Sequence, residues 1–485
     1  MWHEERLLID GELVEAEGGR TYETLDPATG EVLGTAADAS LADAERAVAA
    51  ARRAFDETDW STNVELRLRG LRQLHEGLVR HQEELRELVI AENGVPVMMT
   101  ATAALEAPVE MVGWYADLLE KFEWTEDLGV REAFGGQHQR WTEKEAVGVA
   151  ALIVPYNYPI QITLAKLAPA LAAGCTVVVK GPPECPWVTA AIGKIVAEET
   201  DIPAGVVNVL VGSSPEVGAV LTTHADVDMV SFTGSTATGR RIMAAASDTV
   251  KKLFLELGGK SAFVVLDDAD LAIPTMFAGF MICSHAGQGC AITTRLLLPR
   301  STYDEAVEMV RSTLEGINYG DPSDSANMMG PLISQKQLEK VDGMVKEAVA
   351  QGATVVIGGK PAEGHGTGYF YEPTLLANVT NDMTIAQEEV FGPVMVAIAY
   401  DDDDDAVRIA NDSIFGLSGA VFGDDIERAR GVARRIRSGT ISVNGGLYYG
   451  PDAPFGGYKQ SGIGREMGVA GFEEYLEQKA MAEAI

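Results

Sequence analysis

The chain has few cysteines, no long apolar run and no secretory signal. Its 485 residues include four cysteines, at positions 175, 185, 283 and 290, and none lies in a Cys-x-x-Cys pair or at zinc-finger spacing from histidines. We therefore expect neither a disulfide framework nor a zinc site. No stretch reaches about 18 uninterrupted apolar residues, the length that a transmembrane helix needs. The first six residues are acidic and lack the apolar core of a signal peptide, which predicts a cytoplasmic protein.

Positive charge is also scarce, since 38 Lys and Arg stand against 72 Asp and Glu, giving a formal net charge of -34. Nucleic acids and anionic membranes are bound mainly through Lys and Arg, so we expect neither as a partner. The acidic run Asp401 to Asp405 precedes an apolar segment. It is interpreted as a solvated helix start that complements the helix dipole, and no metal site is predicted there.

Size and patterning predict an α/β protein with more than one domain. The length exceeds that of one ordinary core, and 46% of the residues are hydrophobic. Residues 41–94 show helical periodicity. From about residue 146, short apolar runs alternate with helical segments, which is typical of a parallel sheet covered on both faces. The predicted strands are 149–154, 176–179, 206–211 and 229–232, with helices at 163–173, 187–199 and 240–246, and a second α/β region has strands at 262–266, 295–298 and 440–443.

A cysteine and a glutamate lie in separate glycine-rich runs. Cys290 ends the run His285-Ala-Gly-Gln-Gly-Cys, and Glu256 lies in Leu-Glu-Leu-Gly-Gly-Lys260. Glycines permit close approach of backbone and ligand, and a thiol attacks only as a thiolate, so this pair indicates covalent catalysis assisted by a carboxylate. The structural alternatives are a buried cysteine in a turn and a surface glutamate, although the apolar neighbours of Glu256 disfavour the latter.

A third motif is typical of a dinucleotide site. Gly234 and Gly239 enclose Ser-Thr-Ala-Thr between the predicted strand 229–232 and a predicted helix. Glycines in that position let a pyrophosphate approach the free N–H groups at a helix start. The spacing matches neither Gly-x-Gly-x-x-Gly nor a P-loop, so an ordinary strand-to-helix turn remains an alternative at this point.

Together with further segments in the same order, these motifs resemble the aldehyde dehydrogenase superfamily over residues 9–477. The further segments are 154–159, 388–393 and 454–462. The resemblance implies an α/β fold with a Rossmann-type cofactor domain, a second α/β catalytic domain and a small β oligomerisation arm. The implied ranges are 1–124 with 147–258, then 259–462, and 125–146 with 463–485. A homodimer or homotetramer is implied as well.

The resemblance also assigns roles to individual residues. Cys290 would add to the aldehyde carbon, Asn157 and the Cys290 N–H would hold the oxyanion, and Glu256 would activate the water that hydrolyses the thioester. Cofactor positions carried over from the family include Lys180 at the adenosine ribose, Ser235 at the pyrophosphate, and Glu389 and Phe391 at the nicotinamide end. The full set is Lys180, Pro183, Glu184, Gly212, Gly218, Phe232, Gly234, Ser235, Gly239, Leu257, Glu389 and Phe391.

The chain departs from the family at the position that helps to choose the cofactor. Many members read Lys-Pro-Ala/Ser-Glu, whereas this chain has Lys180-Gly-Pro-Pro-Glu184, with Pro183 at the discriminating position. A carboxylate near the ribose 2′-OH favours NAD over NADP. Glu184 can supply it from one residue later, so NAD is predicted and NADP stays open.

The predicted substrate is an uncharged, fairly apolar aliphatic, terpenoid or aromatic aldehyde. By motif position the tunnel is lined by Tyr158, Gly289, Ala291, Leu447, Tyr448, Tyr449 and Phe455. None of these is the cation that a carboxylate-bearing substrate would require. Three alternatives stay open: a semialdehyde substrate, transfer of the thioester to coenzyme A, and a non-catalytic protein of the same fold. An intact Cys290, Glu256 and Asn157 argue against the last.

Overall fold

A computed structural model describes residues 3–485. In this part of the chain the strands form an eight-stranded, a seven-stranded, a three-stranded and a two-stranded sheet. In chain order they are β1 (Leu7–Ile9), β2 (Glu12–Val14), β3 (Thr21–Leu25), β4 (Val32–Ala37), β5 (Thr125–Ala133), β6 (Gly136–Ala146), β7 (Val149–Ile153), β8 (Thr176–Lys180), β9 (Val207–Leu210), β10 (Met229–Thr233), β11 (Lys252–Glu256), β12 (Ser261–Val265), β13 (Thr293–Pro299), β14 (Thr354–Ile357), β15 (Thr374–Ala377), β16 (Val394–Tyr400), β17 (Gly419–Phe422), β18 (Ser442–Val443), β19 (Gly462–Ile463) and β20 (Leu476–Ala484).

The helices begin and end at residues suited to those positions. Ser40 and Asp43 form a reciprocal capping box at the start of the first helix, and Gly174, at φ 95°, ends the sixth. In chain order the helices are α1 (Leu41–Glu57), α2 (Val64–Arg80), α3 (Gln82–Asn93), α4 (Val97–Thr100), α5 (Glu106–Leu119), α6 (Pro159–Ala173), α7 (Pro186–Glu199), α8 (Pro215–Thr223), α9 (Thr236–Ala246), α10 (Ala272–Cys283), α11 (Tyr303–Glu315), α12 (Gln335–Ala350), α13 (Thr384–Gln387), α14 (Asp403–Asn411), α15 (Ile426–Ala433) and α16 (Gly468–Glu473).

The eight-stranded sheet has a doubly wound parallel centre. Its order is β19-β11-β10-β7-β8-β9-β1-β2, and the five strands from β11 to β9 run parallel. Leu152 packs into one cluster with α6 and α7, while Ala151 faces the cluster that includes α1. Both faces are therefore covered, which explains the uninterrupted apolar strands. The strand order reverses between β7 and β10, and in such sheets ligands bind at the carboxyl ends beside this reversal.

The seven-stranded sheet follows the order β14-β15-β16-β13-β12-β17-β18, and all its pairs are parallel except β14 with β15. One site takes its residues from the carboxyl ends of strands in the first sheet and from the amino ends of strands in this one. Glu256 ends β11, whereas Cys290 lies just before β13 and Glu389 just before β16. The two glycine-rich runs thus come from different sheets.

The predicted elements agree with the structure except at some boundaries. The four strands predicted in the first sheet correspond to β7 to β10. Residues 41–94 are helical, as predicted, and form three helices, because Asn63 caps a new helix and His81 separates the next. One prediction was wrong in detail. The strand predicted at 440–443 contains only Ser442 and Val443, since the Thr440 N–H bonds Leu417 outside a strand ladder.

The polar segment around residues 125–146 is a β-hairpin paired with the C-terminal strand. β5 and β6 pair antiparallel, and β20 pairs with β6 from Leu476 opposite Ala146 to Ala484 opposite His138. Phe134, Leu128 and Val130 on the hairpin are exposed. β19, by contrast, extends the eight-stranded sheet beside β11. Within residues 3–485, no helix combines the length and apolar character needed to cross a membrane.

The acidic run forms the start of α14, as predicted. The Asp402 side chain accepts a hydrogen bond from the Asp405 N–H, and Asp403 to Asp405 occupy the first turn. Asp403 is also paired with Arg428. These carboxylates are used in capping the helix and in ion pairs.

Candidate active site

The two glycine-rich runs meet in direct backbone contact. A Cβ added to Gly259 would lie 2.4 Å from the Cys290 carbonyl oxygen, and one added to Gly258 would lie 2.6 Å from a Glu389 carboxylate oxygen. Only glycine fits in either position without displacing its neighbour. Gly258 and Gly259 thereby allow the end of β11, which carries Glu256, to pack against both the cysteine and Glu389.

The partly buried Cys290 lies beside the buried Glu256. Glu256 is 2% exposed, and burial raises its pKa to about 8, with the charge of Glu466 adding to the rise and the hydrogen bond from Cys290 opposing it. Burial also raises the pKa of the Cys290 thiol well above its usual range, and the nearby Glu256 and Glu389 carboxylates raise it further. These effects favour the neutral thiol, and Glu256 is the group placed to accept its proton.

A buried lysine and a second glutamate stand behind this pair, and neither was predicted. Lys166 Nζ lies 2.9 Å from the Glu466 carboxylate and donates to Ser231 Oγ at 3.2 Å. The ammonium also lies 4.6 Å from the centroid of the Phe254 ring. Lys166 was detectable in the sequence as a lone charge in an otherwise apolar helix, α6. Glu466 gave no such signal.

Asn157 is held between the Cys290 loop and the start of α6. It is 3% exposed, and its Nδ2 donates to the Gln288 carbonyl at 2.9 Å. His285, Ala286 and Gly287 all adopt positive φ, at 45°, 51° and 71°, and so form a left-handed turn just before the cysteine. A Cβ at Gly287 would lie 2.1 Å from the carbonyl oxygen of residue 392. This turn fixes the loop on which Cys290 lies.

His285 packs into this turn as a neutral ring. Burial lowers its pKa to about 4, and its ring lies 5.3 Å from that of Tyr158. The Gln288 side chain ties the same loop to residues beyond it, because its amide donates to the His285 and Pro331 carbonyls and its oxygen accepts from the Ile333 N–H. The loop is therefore braced on several sides.

One cavity, of about 230 Å³, opens on the side of the first sheet where its strand order reverses. Five predicted cofactor residues line it: Gly234, Ser235, Leu257, Glu389 and Phe391. Glu389 accepts a hydrogen bond from the Gly259 N–H at 2.9 Å, and Lys340, which was not predicted, donates to the Glu389 carbonyl at 3.0 Å. Ser235 caps α9 by accepting from the Thr238 N–H.

The other predicted cofactor residues lie outside this lining. Lys180, at the end of β8, donates to the Gly212 carbonyl at 3.4 Å, and burial lowers its pKa to about 8. A Cβ at Gly234 would lie 2.5 Å from Phe232, and one at Gly239 would lie 2.6 Å from Leu257. The remaining residues lie at or near the same edge: Pro183 and Glu184 follow β8 before α7, and Gly218 lies in α8 with open space around its Cα.

A second cavity, of about 350 Å³, reaches the same three residues from another direction. Cys290, Glu256 and Asn157 line both cavities. All the predicted tunnel residues line the second one: Tyr158, Gly289, Ala291, Leu447, Tyr448, Tyr449 and Phe455. No Lys or Arg is among its lining residues within 3–485, and the unpredicted Phe277, Met281, Ile162 and Glu466 complete much of its wall. The cysteine thus lies where two separate cavities meet.

Comparison with known proteins identifies the family. The model of the aldehyde dehydrogenase family matches residues 13–481. The chain belongs to this family. Among curated relatives, it is 41% identical to 3-succinoylsemialdehyde-pyridine dehydrogenase of a Pseudomonas species over 98% of this chain and 97% of that protein. It is 37% identical to the putative aldehyde dehydrogenase DhaS of Bacillus subtilis over 98% and 95%.

Solved structures of family members share the whole fold. Betaine aldehyde dehydrogenase from Staphylococcus aureus in complex with NAD+ superposes with a TM-score of 0.95 at 37% identity, covering 99% of this chain and 95% of that chain. A cysteine-to-alanine mutant of aldehyde dehydrogenase C from Pseudomonas syringae, in complex with NAD+ and octanal, gives 0.93 at 38% identity, covering 99% and 96%. The predicted α/β architecture and family membership of this aldehyde dehydrogenase are confirmed.

Proposed function

We propose that this aldehyde dehydrogenase oxidises an uncharged, largely apolar aldehyde to the carboxylic acid with NAD, by way of a thioester on Cys290. The observation that carries the proposal is the meeting of two cavities at Cys290, Glu256 and Asn157. A nucleophile, a base and an amide donor at one point are the groups that covalent oxidation of a carbonyl requires. One cavity can then hold the cofactor while the other holds the aldehyde.

The first step forms a bond between sulfur and the aldehyde carbon. The Cys290 thiol and the Glu256 carboxyl are close enough to shift each other's pKa, so this carboxylate takes the proton as sulfur attacks. Charge then develops on the former carbonyl oxygen. The second hydrogen of the Asn157 amide remains available for that oxygen, because the other is directed to the Gln288 carbonyl. The Cys290 N–H forms no backbone hydrogen bond within residues 3–485 and can serve as the second donor.

The first cavity has the groups that a dinucleotide needs. Gly234 leaves the start of α9 open to a phosphate, and the Glu389 carboxylate can accept from ribose hydroxyl groups. NAD, when bound there, supplies the acceptor for the hydride that leaves the Cys290 adduct. Phe391, at φ 58°, is fixed by Gln337, whose amide donates to the Phe391 carbonyl at 2.7 Å. The bound NAD+ in the Staphylococcus and Pseudomonas structures supports this assignment.

Hydrolysis of the thioester completes the cycle. After the proton taken from Cys290 has passed to solvent, Glu256 removes a proton from water as the water attacks the acyl carbon, and returns that proton to the leaving sulfur. Burial strengthens Glu256 as a base, because its pKa of about 8 lies far above that of an exposed glutamate.

The second cavity favours an uncharged substrate. Its aromatic wall has no Lys or Arg within the described residues to pair with a second carboxylate on the aldehyde, and the Glu466 carboxylate would repel it. Octanal, bound in the Pseudomonas syringae structure, is an aldehyde of this type. The betaine aldehyde of the Staphylococcus aureus enzyme is a cation and defines the competing substrate class.

NAD is proposed over NADP because Glu184 lies near Lys180 at the end of β8. The two charges interact, and burial raises the pKa of Glu184. An acid at the adenosine ribose disfavours the extra phosphate of NADP. Lys180, Pro183, Gly212 and Gly218 are proposed to belong to this adenosine end.

We also propose three units: a cofactor domain of residues 1–124 and 147–258, a catalytic domain of residues 259–462, and an oligomerisation arm of residues 125–146 and 463–485. The pairing of β6 with β20 supports the third unit, although β19 pairs with β11 of the first sheet. The exposed Phe134, Leu128 and Val130 of the hairpin support its use in a homodimer or homotetramer. A cytoplasmic location remains a proposal that follows from the sequence.

The decisive experiment looks for the covalent intermediate. The enzyme is mixed with octanal and NAD, quenched within one turnover and examined by mass spectrometry, with Cys290→Ala and Cys283→Ala as matched variants. We expect an octanoyl group on Cys290 in the wild type and in Cys283→Ala, and neither adduct nor NADH in Cys290→Ala. Turnover by Cys290→Ala would contradict the proposal.

A substrate panel tests the remaining choices. Octanal, succinic semialdehyde and betaine aldehyde are compared with NAD and with NADP, each with and without coenzyme A. We expect the highest kcat/KM with octanal and NAD, and no octanoyl-CoA. Preference for a charged aldehyde, or a rate that saturates with coenzyme A, would overturn the assigned substrate class or the hydrolytic step.

A further inference from the structure

The hydrogen-bonding groups of the aldehyde cavity are mostly satisfied by the protein itself. Its polar lining consists of a few hydroxyl and amide side chains among aromatic and aliphatic ones. The satisfied hydroxyls pair as follows: Tyr158 with Ser284, Ser284 with the Met99 sulfur, Ser442 with the Gly446 carbonyl, and Tyr448 with Thr440. Groups already paired in this way contribute little to the selection of a substrate tail.

Gln161 is an exception. Its side chain lines the cavity and is only partly buried, and its amide forms no hydrogen bond with any other residue in 3–485. Gln161 lies in the first turn of α6 and lines the same cavity as Asn157, which precedes the helix. A glutamine amide offers two donors and one acceptor without a charge.

Apart from the catalytic Asn157 and Glu256, two other polar residues of the cavity also have a group without a partner, but these groups are less accessible. The Tyr449 hydroxyl has no hydrogen bond and is closed off from solvent. Thr293 is 6% exposed and lies at the start of β13, close to Cys290 in sequence. Gln161 is therefore the neutral group best placed to meet a substrate atom at a distance from the reacting carbonyl.

A purely hydrocarbon tail would displace water from the Gln161 amide and return no hydrogen bond, and such a loss is unfavourable. A tail with a neutral acceptor would restore the bond. We propose, on the basis of the function proposed above, that the enzyme selects aldehydes whose tail carries a neutral hydrogen-bond acceptor such as a ketone oxygen, and that Gln161 is the residue that recognises it.

The test compares octanal with its 4-oxo, 5-oxo and 6-oxo derivatives, which place the ketone at three depths in the cavity. We expect kcat/KM for at least one oxo-octanal to exceed that for octanal by about tenfold, as one good hydrogen bond can provide. In Gln161→Met, which keeps the length but removes the amide, this preference should fall to about twofold or less. Octanal itself should change by no more than about threefold, because it never used the amide.

Thr293→Val is the matched variant, since it removes another hydroxyl without a partner from the lining of the same cavity. It should retain the preference for the oxo substrate. The proposal is overturned if no oxo-octanal is preferred, if Gln161→Met lowers all four aldehydes equally, or if Thr293→Val rather than Gln161→Met removes the preference. Failure of the wild type to oxidise any of the four would instead contradict the proposed function, so the two failures are distinguishable.

Discussion

The charge of Glu466 should set the pH range in which the thioester is hydrolysed. Burial is the main cause that raises the pKa of Glu256 to about 8, and the neighbouring Glu466 carboxylate adds to it. Glu466→Gln removes that negative charge and leaves the attraction of Lys166 in place, so the pKa of Glu256 should fall. A base is active only when ionised, and a lower pKa therefore moves the rise in rate to lower pH.

The magnitude follows from the ionised fraction. With a pKa of about 8, roughly one Glu256 in eleven is ionised at pH 7. A nearby like charge typically shifts a pKa by about one unit or more, so in Glu466→Gln roughly half should be ionised at pH 7. Hydrolysis at pH 7 should then be about fivefold faster, unless the variant lowers the intrinsic reactivity of the base.

The assay follows the decay of the octanoyl enzyme by quenched mass spectrometry between pH 6 and 10. Glu473→Gln is the matched control, because the exposed Glu473 is on the same C-terminal segment and is paired with Lys144 away from both cavities. We expect the midpoint of the rise in decay rate with pH to move to lower pH only in Glu466→Gln. A midpoint that stays in place or moves to higher pH would refute the electrostatic coupling between the two glutamates.

Three other substitutions give distinct results. Glu256→Gln should slow the first formation of NADH, because the Cys290 thiol loses its proton acceptor, and should block hydrolysis of the thioester that does form, whereas steady turnover at the parent rate would remove Glu256 as the base. Glu389→Gln should weaken NAD binding by about 10-fold to 100-fold, as loss of a charged hydrogen bond does, and calorimetric titration would measure the change. Lys166→Met should lower the free energy of unfolding by about 3–5 kcal/mol, because it leaves Glu466 buried and unpaired. Urea unfolding measures this loss, and adding Glu466→Leu to Lys166→Met should restore most of it. An unfolding midpoint of Lys166→Met equal to that of the wild type would contradict the reasoning.

Local patterns were sufficient to predict the elements that form the site. The apolar runs that became β7, β8 and β10 are buried on both faces, so their sequence is uniform and easily recognised. Glycine runs marked where backbone segments touch, as at Gly259 against Cys290. The resemblance to the family then placed Asn157 beside them, which spacing alone would not have done.

What the sequence did not predict depends on contacts between distant segments. Glu466 follows a glycine-rich loop, so its sequence context resembles that of a surface acid. It is nevertheless only 7% exposed, because Lys166, 300 residues earlier in the chain, is held against it. Lys340 and Gln337 occupy α12, whose pattern is that of an ordinary amphipathic helix. Their bonds to the loop at Glu389 and Phe391 arise only when the second sheet is assembled.

If the two cavities that meet at Cys290 hold NAD and the aldehyde as proposed, their separation has a consequence for inhibitors. A molecule that plugs the aromatic chamber would compete with the aldehyde but leave the dinucleotide entrance free, so excess NAD would not relieve the block. A compound long enough to pass the sulfur and occupy both chambers would compete with both substrates. The kinetic pattern of a blocker thus reports which chamber it fills.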